Sequence, residues 1–362
     1  MLSKNRIVIS SAGSGKTTGI VERVLRQPGD RVLITTFTLS NSAEVRRKFV
    51  EMNGFVPDRV LILPWFTFVL RELVRPYQNL FYRPQRIRSV NLVSGRSDPY
   101  APRADKDRYF FGNGMDIYSD KLSELAITCN SSSKGKVIER LEQQFDAIYV
   151  DEVQDLAGYD LDILRSFLDA NFDLFLVSDH RQATLATNQS PKNRKYRYAG
   201  IIDLFRTWAA KGLRELEFNA ISYRCSQSIC DFSNSLFPND PGATSMNDIV
   251  TKHDGVFVVK AADVPAYIKE FSPQALRYNR NTICLGYPAM NFRVSKGLSF
   301  ERFLIFPHKS IRDYLVTSDL SKLKEPHLLY VAATRARQSV TFVLDEDPLI
   351  AEVERYPAAN AI

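Results

Sequence analysis

The apolar run Ile7-Val8-Ile9 stops on Ser10-Ser11-Ala12-Gly13-Ser14-Gly15-Lys16-Thr17-Thr18, and helix-forming text continues to Arg26. A strand that ends in a loop of small residues and restarts as a helix is the opening of a βα crossover, and it commits the chain to a parallel sheet. Small residues let successive N–H groups turn inward on an anion. Ser11 to Thr18 are therefore the candidate phosphate-binding residues, with the Lys16 ammonium for the β/γ-phosphates and the Thr17 hydroxyl for Mg²⁺. The usual pattern opens on Gly, and here that position is Ser10.

The same grammar recurs. Val32-Leu33-Ile34 runs into Thr35-Thr36-Phe37-Thr38, Ile148-Tyr149-Val150 into Asp151-Glu152-Val153-Gln154-Asp155, and Leu174 to Val177 into Ser178-Asp179-His180-Arg181-Gln182. Short buried strands alternating with helical text predict α/β architecture, with ligands gathered at the strands' carboxyl ends. Asp151 is the second candidate Mg²⁺ ligand. Glu152 is the candidate base that orients and deprotonates water.

Composition narrows the class. The 362 residues allow two compact domains, and the formal net charge of +7 fits a polyanionic partner. Four cysteines and four histidines have no metal-ligand spacing, so reduced thiols are expected rather than a zinc site or disulfide framework. No apolar run approaches a membrane span and no signal peptide opens the chain, which makes the cytoplasm the expected compartment.

At Asp-Glu-Val-Gln-Asp the order of motifs resembles the UvrD/Rep/PcrA group of superfamily one helicases along nearly the whole chain. Ser11 to Thr18 is similar to motif I, Thr36-Phe37-Thr38 with Glu44 and Arg46 to motif Ia, and Trp65-Phe66-Thr67-Phe68 with Arg71 to a divergent motif Ib. Asp151 to Asp155 resembles motif II, Asp179 with Gln182 motif III, and Tyr223-Arg224 motif IV. Lys296-Gly297-Leu298 with Phe300 resembles motif V, and Tyr330 to Ala336 motif VI, with Arg335 as arginine finger.

The resemblance implies two RecA-like domains, residues 1–200 with a reduced insertion at about 75–145 and residues 201–362, with Mg²⁺-ATP in the cleft between them. Lys16, Asp151, Glu152, Gln182, Arg224 and Arg335 are then the catalytic set, Gln182 sensing the γ-phosphate. The implied function is a 3′-to-5′ single-stranded DNA translocase or helicase, with Phe37, Thr38, Arg71 and Tyr196 on the strand. Tyr196 belongs to Lys192-Asn193-Arg194-Lys195-Tyr196-Arg197-Tyr198, where base and aromatic interleave; a solvated surface loop is the alternative reading.

Departures from the family shape the alternatives. The upstream adenine-reading Gln segment is missing. Ala183 to Asn188 lacks the aromatics that stack on bases, Ser299 replaces the motif V Glu, and Arg293 its His. There is no room for the large second-domain insertion. Short UvrD-like ATPases accompany nucleases in Gabija-type anti-phage systems. The similarity implies an alternative, a DNA-sensing regulatory ATPase subunit of a nuclease-containing complex with little unwinding of its own. An RNA-directed enzyme is a third reading, because phosphate contacts do not report the sugar.

Overall fold

In the computed structural model, residues 5–82, 84–112, 114–213 and 215–356 are described. Strands β1 (Arg6–Ser10), β2 (Val32–Thr36) and β3 (Val60–Pro64) are connected by helices α1 (Lys16–Leu25) and α2 (Leu39–Asn53). After β3 come the single turn α3 (Trp65–Phe68) and a π-helical turn, Val69–Val74. A largely irregular stretch then carries β4 (Val90–Asn91), α4 (Lys106–Phe110) and β5 (Ile117–Tyr118), before α5 (Ser119–Ser132) and α6 (Lys136–Gln144). The chain returns to the sheet as β6 (Ala147–Val150), α7 (Asp160–Phe167), β7 (Asp173–Ser178), α8 (Ile201–Ala210) and β8 (Glu215–Asn219).

The first sheet has the order β3-β2-β6-β7-β1-β8, with parallel pairing from β3 through to β1. Its central strands β2 and β6 are buried on both faces, which is why they read as unbroken apolar runs rather than as alternation. Val32, Ile34, Ala147 and Tyr149 pack with Ile20, Val24, Val45 and Phe49 of α1 and α2. Leu33, Ile148, Val150, Leu174 and Leu176 turn the other way, into a core shared with α5, α7 and α8.

The remainder begins with the short parallel pair β9 (Ile221–Ser222) and β10 (Thr244–Ser245), which flank α9 (Gln227–Ser235). A second six-stranded parallel sheet follows, made of β11 (Gly255–Val259), β12 (Gln274–Arg277), β13 (Met290–Asn291), β14 (Phe300–Phe306), β15 (Ala336–Val343) and β16 (Glu354–Arg355). Its order is β13-β12-β14-β15-β11-β16. Helices α10 (Val264–Phe271), α11 (Lys309–Thr317) and α12 (Pro326–Ala333) complete it. Two such sheets flanked by helices make the fold α/β with two RecA-like domains.

The chain divides into two compact units. One takes the residues through Ile9 and Lys16–Glu217; the other takes Ser10–Gly15 and the residues from Phe218 onward. All four cysteines are buried and unbridged. Among the described residues no helix is long and apolar enough to cross a membrane.

One buried histidine makes the second unit sensitive to acid. His253 is stacked between Phe257 and Phe271 at 4.2 and 4.1 Å, and its Nε2 lies 2.8 Å from the Tyr267 hydroxyl. Burial, aided by Arg302, pushes its pKa down from 6.5 to about 4. The folded state therefore holds a neutral ring while the unfolded chain takes a proton near 6.5, so stability is lost as pH falls from 6.5 toward 4. His253→Phe, which keeps the stacking but cannot titrate, should flatten the melting temperature against pH in that window. An unchanged slope would reject this assignment.

Candidate active site and strand groove

Lys16 is the first residue of α1, directly after the loop in which Gly13 and Gly15 hold φ of +73° and +74°. Its ammonium lies 3.9 Å from Asp179 Oδ2. The next residue, Thr17, donates its hydroxyl to Asp151 Oδ2 at 3.2 Å. Asp151 directly follows β6, and its other oxygen accepts the Glu152 N–H at 2.9 Å. The sequence-predicted Lys16, Thr17, Asp151 and Glu152 are thus brought together at the carboxyl ends of β1 and β6, as a parallel sheet requires. Thr18 follows them on α1.

Glu152 stands at φ 56°, ψ 40°, a left-handed conformation that costs a non-glycine residue about 1–2 kcal/mol. The backbone reverses there, and the Glu152 carboxylate accepts a short hydrogen bond from the Gln154 amide. Gln154 in turn accepts from Ser178 Oγ at 3.1 Å and from the Asp179 N–H at 3.0 Å. Asp179 also accepts from Gln182 Nε2 at 2.7 Å. Gln154 is the residue that motif reading undervalues: it ties the candidate base to the segment holding Gln182. Its position between two acidic residues of the Asp151–Asp155 run is the signal that could have pointed to it.

The two carboxylates around Lys16 are driven apart. Burial and the neighbouring Glu152 charge raise Asp151 above the ordinary carboxylate range, against the pull of Lys16 and Thr17. Burial would raise Asp179 too, but Arg181, Lys16 and Gln182 outweigh it and hold it below that range. Asp151 is the one that an added cation would relieve.

A nucleotide's phosphates and a magnesium ion suit these residues. The Ser14 hydroxyl is buried in the loop with no hydrogen-bond partner, as a group meant for a phosphate oxygen would be. Thr17 and Asp151 supply one hydroxyl and one carboxylate. Among the described residues no group of three or more His, Cys, Asp or Glu could hold a metal alone. That set suits Mg²⁺, which takes its remaining ligands from water and phosphate.

Within the second unit, the Ala12 N–H donates to the Tyr330 hydroxyl at 3.2 Å, the Ala12 carbonyl accepts from Ser222 Oγ at 2.8 Å, and the Gly13 carbonyl accepts the Tyr223 N–H at 2.9 Å. The Ser11 N–H donates to the Asn219 carbonyl at 3.0 Å. A methyl group on Gly13 would meet Arg224 Cβ at 2.5 Å, so this glycine is required by contact as well as by its φ. Arg224 donates to the Thr334 carbonyl at 3.1 Å, and the buried Arg335 to the Val331 carbonyl at 3.3 Å.

A groove of about 680 Å³ opens beside the first sheet, lined by Phe37, Thr38, Phe66, Arg71, Arg88 and Thr187 among others. Phe37 and Phe66 meet edge to face at 6.1 Å. Leu39 and Leu92 stand 77% and 72% exposed on it, an apolar surface without cover. Thr38 caps α2, accepting the Asn41 N–H at 3.1 Å. Arg71 sits on the π-helical turn and pairs with the buried Glu72 at 2.8 Å. Three of the four predicted strand residues thus share one groove. Tyr196 does not line it; its ring packs against the first unit's core, under the Lys195 ammonium at 4.7 Å.

No protein-family model matches the chain, and no curated protein matches it. Among solved structures it is similar to Arterivirus nonstructural protein 10, a helicase, with 15% identity and a TM-score of 0.49 over 95% of this chain and 60% of that one. The complex of that protein with DNA gives 14% identity and a TM-score of 0.48, over 95% and 61%. The chain spans about three-fifths of the length of those chains.

Removing the Asp151 charge should separate stability from function. Asp151→Asn keeps the acceptor for the Glu152 N–H and relieves a buried carboxylate, so the ligand-free protein should melt higher, by the equivalent of about 1 kcal/mol or more. Mg²⁺ with ATP should raise the melting temperature of the parent, and the same variant should lose that increment. A lower ligand-free melting temperature, or an undiminished Mg²⁺-ATP increment, would contradict the assignment.

Proposed function

We propose that this chain hydrolyses Mg²⁺-ATP at the Lys16–Thr17–Asp151–Glu152 cluster and couples that hydrolysis to a single nucleic-acid strand in the Phe37–Arg71 groove, as a translocase or helicase motor. The observation that supports it most is the convergence on Lys16 of a hydroxyl–carboxylate pair, a carboxylate base held by a reversed backbone, and the Asp179–Gln182 pair.

Each residue has a distinct part. The N–H groups of Ser11 to Gly15 cradle the phosphates, and Lys16 binds the β and γ oxygens. Thr17 and Asp151 hold Mg²⁺, which supplies neutralising charge to those oxygens. Glu152, aimed by Gln154, takes the proton of the water that attacks the γ-phosphorus; the bond to the β–γ bridging oxygen breaks and ADP departs. Gln182 reads the γ-phosphate. Phe37 and Phe66 offer ring faces to bases, while Arg71 and Arg88 neutralise phosphates. DNA is the proposed strand, with 3′-to-5′ polarity.

A second reading is a strand-sensing regulatory ATPase that works with a nuclease. It is favoured by one feature, the presence of Ala186 and Thr187 in the groove where a base-stacking ring would strengthen the grip. Unwinding of a forked duplex by the isolated protein separates the two readings, since the regulatory subunit would leave the fork closed.

Lys16→Ala should lower hydrolysis at least about 100-fold. Glu152→Gln should bind ATP like the parent and turn it over as poorly as Lys16→Ala. Arg71→Ala should weaken strand binding and make the dependence of affinity on salt shallower by about one phosphate contact. Parental turnover by either active-site variant would remove the hydrolysis assignment, and an unchanged salt slope would remove Arg71 from the strand.

A further inference from the structure

Asp160, the first residue of α7, is fully buried, and both of its oxygens are occupied by donors from four separate parts of the first unit. Its Oδ1 accepts Trp65 Nε1–H at 2.9 Å, from the start of α3, and the Ser123 hydroxyl of α5. Its Oδ2 accepts the Ala157 N–H at 3.2 Å, the Thr187 hydroxyl, and the Asn188 amide at 3.3 Å. These partners are not scattered. Phe66, beside Trp65, lines the groove; so does Ser119, one helical turn before Ser123; so does Thr187 itself. One carboxylate therefore braces three walls of the groove.

The same residues reach back to the active-site loop. The Thr187 N–H donates to the Asp155 carbonyl at 2.7 Å, and the Ala157 N–H donates to Thr187 Oγ1 at 2.9 Å. Asn188 donates to the Ala157 carbonyl at 2.8 Å. Asp155 and Ala157 continue the turn that begins with Glu152 and Gln154. A shift of that turn is transmitted to Thr187 through the hydrogen bonds of 2.7 and 2.9 Å, and from Thr187 to the other walls through Asp160.

We propose that Asp160 is a positioning residue that links the Asp151–Ala157 turn to the walls of the groove, so that occupancy of the nucleotide site changes the groove's affinity for a strand. This inference rests on the function proposed above. A carboxylate is needed because all five partners are donors. Asparagine presents an NH₂ in place of one acceptor oxygen and sets donor against donor on that side.

The test measures the dissociation constant of a fluorescein-labelled oligothymidylate by anisotropy, with and without Mg²⁺ and the β,γ-imido analogue of ATP. In the parent the two constants should differ by at least about fivefold. In Asp160→Asn the ratio should shrink to within about twofold, while the analogue binds as in the parent. Ser123→Ala, which removes a single donor, should shrink the ratio less, and adding it to Asp160→Asn should have no further effect. A purely structural role would lower the melting temperature of both variants and leave the ratio untouched, and that result overturns the inference. A parent whose two constants are equal overturns it as well, while leaving hydrolysis and strand binding in place. A parent that binds neither nucleotide nor strand overturns the functional reading, and the inference with it.

Discussion

The Lys16 ammonium, 3.9 Å from Asp179 and attracting the Asp151 charge as well, is the interaction on which the rest of the first unit's chemistry depends. Without it, Asp151 and Asp179, both buried, would each lose a cation that opposes the cost of burial, and Asp151 would be left beside the Glu152 charge. With it, they diverge in character. Asp179 becomes a settled anion that holds Gln182 by one oxygen and receives Lys16 and Arg181. Asp151 is left partly unsatisfied in charge, which makes it ready for a cation. A site of this kind sacrifices stability for affinity, and the cost falls on one residue.

From that centre, order spreads by hydrogen bonds rather than by apolar packing. Gln154 spans Glu152, Ser178 and Asp179; Thr187 and Asn188 join the following turn; Asp160 gathers their donors with those of Trp65 and Ser123. Residues 183–188 thus have a role that the missing aromatics conceal. Thr187 and Asn188 brace the groove from behind. The groove's own rings come from Phe37 and Phe66, at the ends of β2 and β3.

Much of this was legible in the sequence because it is local. A loop of small residues between a strand and a helix, an Asp-Glu pair after another strand and short apolar runs are each encoded within about ten residues, and the structure has these elements in those places. The Asp160 network was not legible. Its partners are Trp65, Ser123 and Thr187, far apart in the chain, and no periodicity marks a buried carboxylate that collects donors. The π-helical turn that carries Arg71 was equally hidden, since no residue pattern in Val69 to Val74 marks it. The grouping of Ser10–Gly15 with the residues from Phe218 onward also had no local signal, because it arises from bonds to Ser222, Tyr223 and Tyr330. Tyr196, singled out by interleaved basic and aromatic text, lies outside that groove, partly buried with Lys195 over its ring.

The central claim, that hydrolysis at the Lys16 cluster is coupled to a strand, is tested most directly by steady-state ATP turnover of the purified protein with and without single-stranded DNA at low and high salt. The account predicts Mg²⁺-dependent turnover that rises with added strand, and stimulation that weakens as salt screens Arg71 and Arg88. Turnover that ignores the strand at both salt concentrations, or no turnover under any of these conditions, would contradict it.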